Sequence, residues 1–170
     1  MSKPILLVLG AGNNIGLHTA SFFAKRGYRV AVVSRSISPQ DYPQYLAIKA
    51  DLADSEAIKG VFDQVRNELG EPNVVLYNGN CLNGQIMPNL WTLGVGKSAT
   101  AHAISAAAQF YANNGYGFYY VDERKLDGGP AFNVNGEAHA EMFWQLSQLK
   151  KQENPLVTFV PGKGRVDFDK

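Results

Sequence analysis

The sequence predicts a doubly wound α/β fold, a mostly parallel sheet of about six strands with helices on both faces. Three observations carry that expectation. Short apolar runs alternate with helical patterns along the chain, four of those runs are continuously apolar, and the first leads at once into a glycine-rich turn. Continuous apolar runs mark strands covered on both faces, as in a parallel sheet.

The expected strands are residues 5–9, 29–33, 45–49, 73–77, 117–121 and 156–160. Between the first two, Ile15, Thr19, Phe22 and Phe23 share one helix face, and Gly27 stops that helix. Ile58, Val61, Phe62, Val65 and Leu69 mark a second helix, with Asp54 or Ser55 as N-cap and Gly70 as terminator. A third helix is expected from about Thr92 to Ala112, and a fourth from about Gly136 to Lys150. No internal repeat or linker divides the chain, so residues 1–170 read as a single domain.

Composition narrows the function classes. The 170 residues are 45% hydrophobic with a net charge of +1, which gives no electrostatic case for nucleic acid or an anionic membrane. No apolar stretch reaches the roughly 18–20 residues that span a bilayer, and a cytoplasmic protein is the expectation. Cys81 is the single cysteine, so an internal disulfide and a cysteine metal cluster are both impossible. His18, His102 and His139 lie on three expected helices without ligand spacing and read as solvated or satisfied side chains, with no metal site.

The strongest local signal is Gly10-Ala11-Gly12-Asn13-Asn14-Ile15-Gly16 between the first strand and the first helix. Glycine lets the backbone turn tightly and its N–H groups approach a pyrophosphate, which the helix N-terminus then stabilises. Strand, glycine turn and helix in that order are what a dinucleotide site requires. A site selective for NAD usually ends its second strand with an acid on the ribose 2′-hydroxyl. Here that place reads Val33-Ser34-Arg35-Ser36, with no acid before Asp41. A guanidinium flanked by two hydroxyls suits a phosphate, so NADP(H) is expected over NAD(H).

These residues resemble the short-chain dehydrogenase/reductase family. Its glycine motif keeps Gly10 and Gly16 as outer members, with Asn14 in place of the middle glycine. Asp51-Leu52 stands where the family contacts adenine, and Asn78-Gly79 where it carries Asn-Ala-Gly. Leu93-Gly94-Val95-Gly96-Lys97-Ser98-Ala99 and Tyr120-Val121-Asp122-Glu123-Arg124 are similar to divergent members. The resemblance implies a Rossmann-like fold and a cofactor site at Gly10, Gly12, Asn13, Asn14, Ile15, Gly16, Ser34, Arg35, Ser36, Asp51, Leu52, Asn78, Gly79 and Lys97. It also implies an oxidoreductase acting on a small carbonyl or alcohol, with Lys97 as active-site lysine.

The same resemblance exposes a gap. The family places a long helix and a fifth strand between its Asn-Ala-Gly signature and the lysine-bearing helix. Only nineteen positions separate Asn78 from Lys97 here, and Pro88 interrupts them, which leaves no room for a parallel crossover. Strand 117–121 is therefore expected to pair directly with 73–77. The family tyrosine stands four residues before its lysine, and that place holds Leu93, which has no proton to give. The family serine is absent from Asn78-Gly79-Asn80-Cys81-Leu82-Asn83 as well. A non-catalytic NADP(H)-binding protein (a sensor, scaffold or shortened relic) is therefore the alternative to an active enzyme.

Other patterns are weaker. Tyr45 and Lys49 form the sequence's sole Tyr-x-x-x-Lys, but in a strand they stand about 13 Å apart. Gly94-Val95-Gly96-Lys97-Ser98 imitates the end of a P-loop, yet Trp91 occupies the place of its leading glycine. Residues Asp122 to Asp127, before Gly128-Gly129-Pro130, read first as a solvated loop with a possible ligand role at a strand end. Tyr116, Phe118, Tyr119 and Tyr120 read as sheet packing, with one free to protrude into a cleft, and Tyr77 and Tyr120 are the candidates to take over from the absent tyrosine if the protein turns over. The helix carrying Lys97 is rich in alanine, and the loss of its covering partner predicts a homo-oligomer formed through it.

Overall fold

The structure is a computed structural model that describes residues 2–40, 42–111 and 113–168. Seven strands form one sheet in the order β3-β2-β1-β4-β5-β6-β7. They are β1 Ile5–Leu9, β2 Arg29–Ser34, β3 Leu46–Lys49, β4 Val74–Asn78, β5 Gly117–Glu123, β6 Leu156–Val160 and β7 Gly164–Arg165. The first six pair in parallel, while β7 adds a two-residue antiparallel edge that periodicity is too short to reveal. Four α-helices complete the fold among the described residues: α1 Ile15–Ala24, α2 Ser55–Glu68, α3 Trp91–Phe110 and α4 Gly136–Ser147.

β4 pairs directly with β5, from Val74 opposite Gly117 to Asn78 opposite Val121. The sheet closes over the absent strand and leaves no gap, because unpaired buried backbone groups would each cost about 1–3 kcal/mol. Asn73, expected inside β4, precedes it and extends the ladder with its side chain. Its Oδ1 accepts from Ile5 N at 2.8 Å, and its own N–H donates to Ile5 O at 2.9 Å. Gln152 does the same beside β5, accepting from Phe118 N and donating to Phe118 O.

Alternate strand residues feed two cores. Leu6, Val8, Tyr119 and Val121 face α1 and α4, where Ile15, Phe23, Phe143 and Leu146 meet them. Ile5, Leu7, Phe118 and Tyr120 face α2 and α3, where Val61, Val65, Ala101 and Ile104 meet them. α1 and α4 thus share one face although β1 to β2 and β5 to β6 run in opposite directions across the sheet. The two connections therefore have opposite hands, and one departs from the usual right-handed crossover.

Local punctuation follows the sequence closely. Asp54 caps α2 by accepting from Glu56 N at 3.0 Å, and Gly70 closes it at φ +110° with its N–H on Val65 O. Tyr45 precedes β3, and α4 ends at Ser147, three residues short of Lys150. Asp41 and Ala112 lie outside the described residues.

Candidate functional site

The sheet order reverses between β2 and β4 on either side of β1, the place where open α/β sheets hold ligands. Gly10 leaves β1 at φ +78°, and both Gly10 N and Ala11 N donate to Val33 O, at 2.9 and 2.8 Å. Gly16 packs so tightly on this turn that an added Cβ would stand 2.6 Å from Ala11 Cα. Gly12 faces open space, with nothing within 4 Å of where its Cβ would be.

Asn14 does not use the left-handed backbone its place in the motif brings to mind. It sits at φ −96°, ψ −89°, and every positive φ among the described residues belongs to glycine. Its side chain leaves α1 uncapped and donates instead to Val134 O at 2.9 Å, tying the turn to the approach of α4. The first turn of α1 also lacks an acid. An uncapped, acid-free helix start beside an open glycine is a seat for an anionic group.

A groove of about 1140 Å³ runs from this turn along the face between α2 and α3. Of the sequence-predicted site residues, Gly10, Gly12, Ser34, Arg35, Ser36, Asp51, Leu52 and Lys97 line it. Arg35 is exposed and has neither an ion-pair nor a hydrogen-bond partner among the described residues. Asp51 turns the chain into α2 by accepting from Ala53 N at 3.0 Å. Asn13, Asn14, Ile15, Gly16, Asn78 and Gly79 do not line the groove. Ile15 and Gly16 are buried beneath the turn, and Gly79 is pressed against Tyr120, whose ring would stand 2.1 Å from an added Cβ.

Lys97 projects from α3 into the far side of this end. Its half-buried Nζ donates to Asn78 O at 2.9 Å and lies 4.7 Å from the centre of the Tyr77 ring. Tyr77 is, with Tyr120, one of the two tyrosines the sequence offers in place of the absent family tyrosine. Here it lines the groove between the glycine turn and Lys97 and stacks on Tyr120, with ring centres 5.7 Å apart. Leu93 also lines the groove, exposed and without a dissociable proton. Gly94, Gly96, Lys97 and Ser98 are all helical, which removes any P-loop geometry from that segment.

Two expectations fail at the end of β5. Asp122 and Glu123 are not solvated, because the strand continues through both and buries them. Burial pushes both carboxyls up, an effect that the Arg124 guanidinium bonded to Asp122 and the more distant Lys97 oppose at Asp122. His139 is not a solvated or satisfied helix histidine either. It is fully buried, neither ring nitrogen has a hydrogen-bond partner among the described residues, and its Nε2 lies 3.3 Å from Glu123 Oε2. Burial pushes its pKa down to about 4. No group of three or more potential ligands gathers to hold a metal among the described residues, and no described helix is long and apolar enough to cross a membrane.

Comparisons with known proteins agree with this architecture. The family model for short chain dehydrogenase matches residues 4–90. The short chain dehydrogenase/reductase dmxR12 of Cryptosporiopsis sp. (strain 8999) is 32% identical over 236 residues, spanning 99% of this chain and 96% of that protein. A match of 236 positions to a chain of 170 means that the relative holds residues inside the matched stretch that this chain lacks. Among solved structures, ElxO with NADP bound superposes with a TM-score of 0.71 at 12% identity, covering 94% of this chain and 98% of that one. The F189W actinorhodin polyketide ketoreductase with NADPH gives 0.68 at 14% identity, covering 95% and 98%. With a matching family model over half its length and a relative spanning almost all of it, the chain belongs to the short-chain dehydrogenase/reductase family.

Proposed function

We propose that this chain is an NADP(H)-binding oxidoreductase of the short-chain type, acting on a small carbonyl or alcohol. The observation that carries the cofactor reading is Arg35, exposed at the groove, unpaired among the described residues, and flanked by Ser34 and Ser36. A guanidinium and two hydroxyls suit a 2′-phosphate, whereas a free ribose hydroxyl would call for an acid. Two similar structures, ElxO and the actinorhodin ketoreductase, were solved with NADP and NADPH. The residues fit the group: open space at Gly12 and the uncapped start of α1 would take the pyrophosphate, and Asp51 and Leu52 the adenine end. Bound there, the reduced nicotinamide supplies a hydride. Lys97 then places a positive charge at the reacting end and leaves its half-buried ammonium fixed on Asn78 O.

Leu93 supports a second reading, a protein that binds NADP(H) without turning over substrate, because general acid–base assistance is worth about 10²–10⁴-fold. Self-association belongs to either reading. Trp91, Leu93, Val95 and Phe110 leave α3 with a largely apolar, exposed surface, whose sole formal charge is Lys97.

Calorimetric titration of NADPH and NADH into the wild type and Arg35→Ala tests the cofactor reading. The wild type is expected to prefer NADPH. Arg35→Ala should lose about 1.5–3 kcal/mol of NADPH affinity, roughly tenfold or more, with NADH unaffected. Equal affinities in the wild type would refute it.

A further inference from the structure

The groove has a lysine at its reacting end and, with Leu93 beside it, no proton donor at the place one is expected. Four tyrosines lie near or along it, and geometry separates them. Tyr120 is 1% exposed, and its hydroxyl is spent twice on Asn80, donating to its O at 2.8 Å and accepting from its N at 3.1 Å. Tyr111 and Tyr116 line the opposite end of the groove. Tyr111 stands fourteen residues beyond Lys97, a rise of about 21 Å along a helix.

Tyr77 is placed differently. It occupies the penultimate position of β4, half-buried, at the strand end that meets the glycine turn. Its ring edge would stand 3.7 Å from a Cβ at Gly10, and its face lies under Lys97 Nζ. Near-parallel stacking on buried Tyr120, at 15° between planes, fixes the ring. Its hydroxyl has no hydrogen-bond partner among the described residues, so it is uncommitted.

We propose that Tyr77 is a catalytic residue of this site, the proton donor in carbonyl reduction and acceptor in alcohol oxidation, with Lys97 as its charge partner. This rests on the NADP(H) reading of the groove. In reduction, a bound reduced nicotinamide would supply the hydride to the carbonyl carbon, and the π pair would move to oxygen. That oxygen takes the proton from Tyr77 Oη, whose O–H bond breaks to leave a phenolate. The ammonium of Lys97 stabilises the negative ring, and water returns the proton.

The test is Tyr77→Phe, which keeps the stack and deletes only the hydroxyl. NADPH binding, followed by quenching of nicotinamide fluorescence, should be unchanged in the variant. NADPH consumption with a panel of small aldehydes and ketones should be slow in the wild type and about a hundredfold slower in Tyr77→Phe. Lys97→Met should lower turnover in the wild type and add little to Tyr77→Phe, since the two act as one unit. Equal turnover in wild type and Tyr77→Phe would overturn the assignment, as would a wild type that binds NADPH and reduces none of the panel. Failure of the wild type to bind NADPH at all would instead remove the cofactor reading on which it rests.

Discussion

On one face of the sheet, α1 and α4 pack against each other as well as against the strands. On the other, α2 and α3 stand apart with the 1140 Å³ groove between them. The first face is closed by an aromatic knot in which Phe23 meets Tyr28 and Trp144 edge-on, at 5.1 and 5.4 Å between ring centres. Arg26 lies 3.4 Å over Phe22 at its rim, and Thr19 and His139 are fully enclosed. The second face ends in half-buried Phe62, Tyr77 and Ala107. Stability is concentrated on the closed face and ligand-sized space on the open one. A sheet without the family's helix–strand unit keeps its ladder continuous and leaves its open space on a single face.

The largest test of this contrast is a pair of matched truncations. Phe23→Ala should cost about 3–5 kcal/mol, the usual range for a fully buried aromatic. Phe62→Ala, half-buried beside the groove, should cost about 1 kcal/mol. Thermal or denaturant unfolding of both variants checks the difference, and equal losses would break the contrast.

His139 gives the closed face a pH signature. Its pKa falls from 6.5 to about 4 in the fold, so the unfolded chain takes up a proton in that window while the native chain stays neutral. Stability is therefore fully present above pH 6.5 and is lost as pH falls toward 4, by about 3 kcal/mol in total. Glu123 and Asp122 act in the opposite direction, because a carboxyl raised in the fold binds its proton before the unfolded chain does. The difference between wild type and His139→Leu isolates the histidine. The variant should lose less stability than the wild type over that window, and parallel curves would count against the assignment.

Much of both faces was legible in the sequence. Helix faces at Ile15, Phe23 and Val61, the cap at Asp54 and the terminator at Gly70 are local signals, and the structure places each as expected. Direct pairing of β4 with β5 was legible too, because too few residues remained to build a crossover. The environment of His139 was not, since its burial depends on Glu123, sixteen positions earlier on another element. The choice of Tyr77 over Tyr120 was not legible for a related reason. Its surroundings come from the glycine turn and α3, and nothing in Val74–Asn78 announces either.

The smallest expected effect on stability belongs to the exposed side of α3. Ala103→Glu, at an exposed position lining the groove, should change stability by less than about 0.5 kcal/mol yet abolish self-association. Light scattering across a concentration series reads this directly. A wild type that stays monomeric at high concentration would show that α3 does not bind a second copy.

The central claim is that the open face, at the C-terminal ends of its strands, is where the dinucleotide sits. Hydrogen exchange measured with and without NADPH tests it segment by segment. The account predicts slower exchange at residues 10–17, 34–36 and 50–53 on binding, with α4 unchanged. Slowing confined to residues 124–133, beside the separate cavity of about 650 Å³ at the end of β5, would contradict it, as would no slowing anywhere.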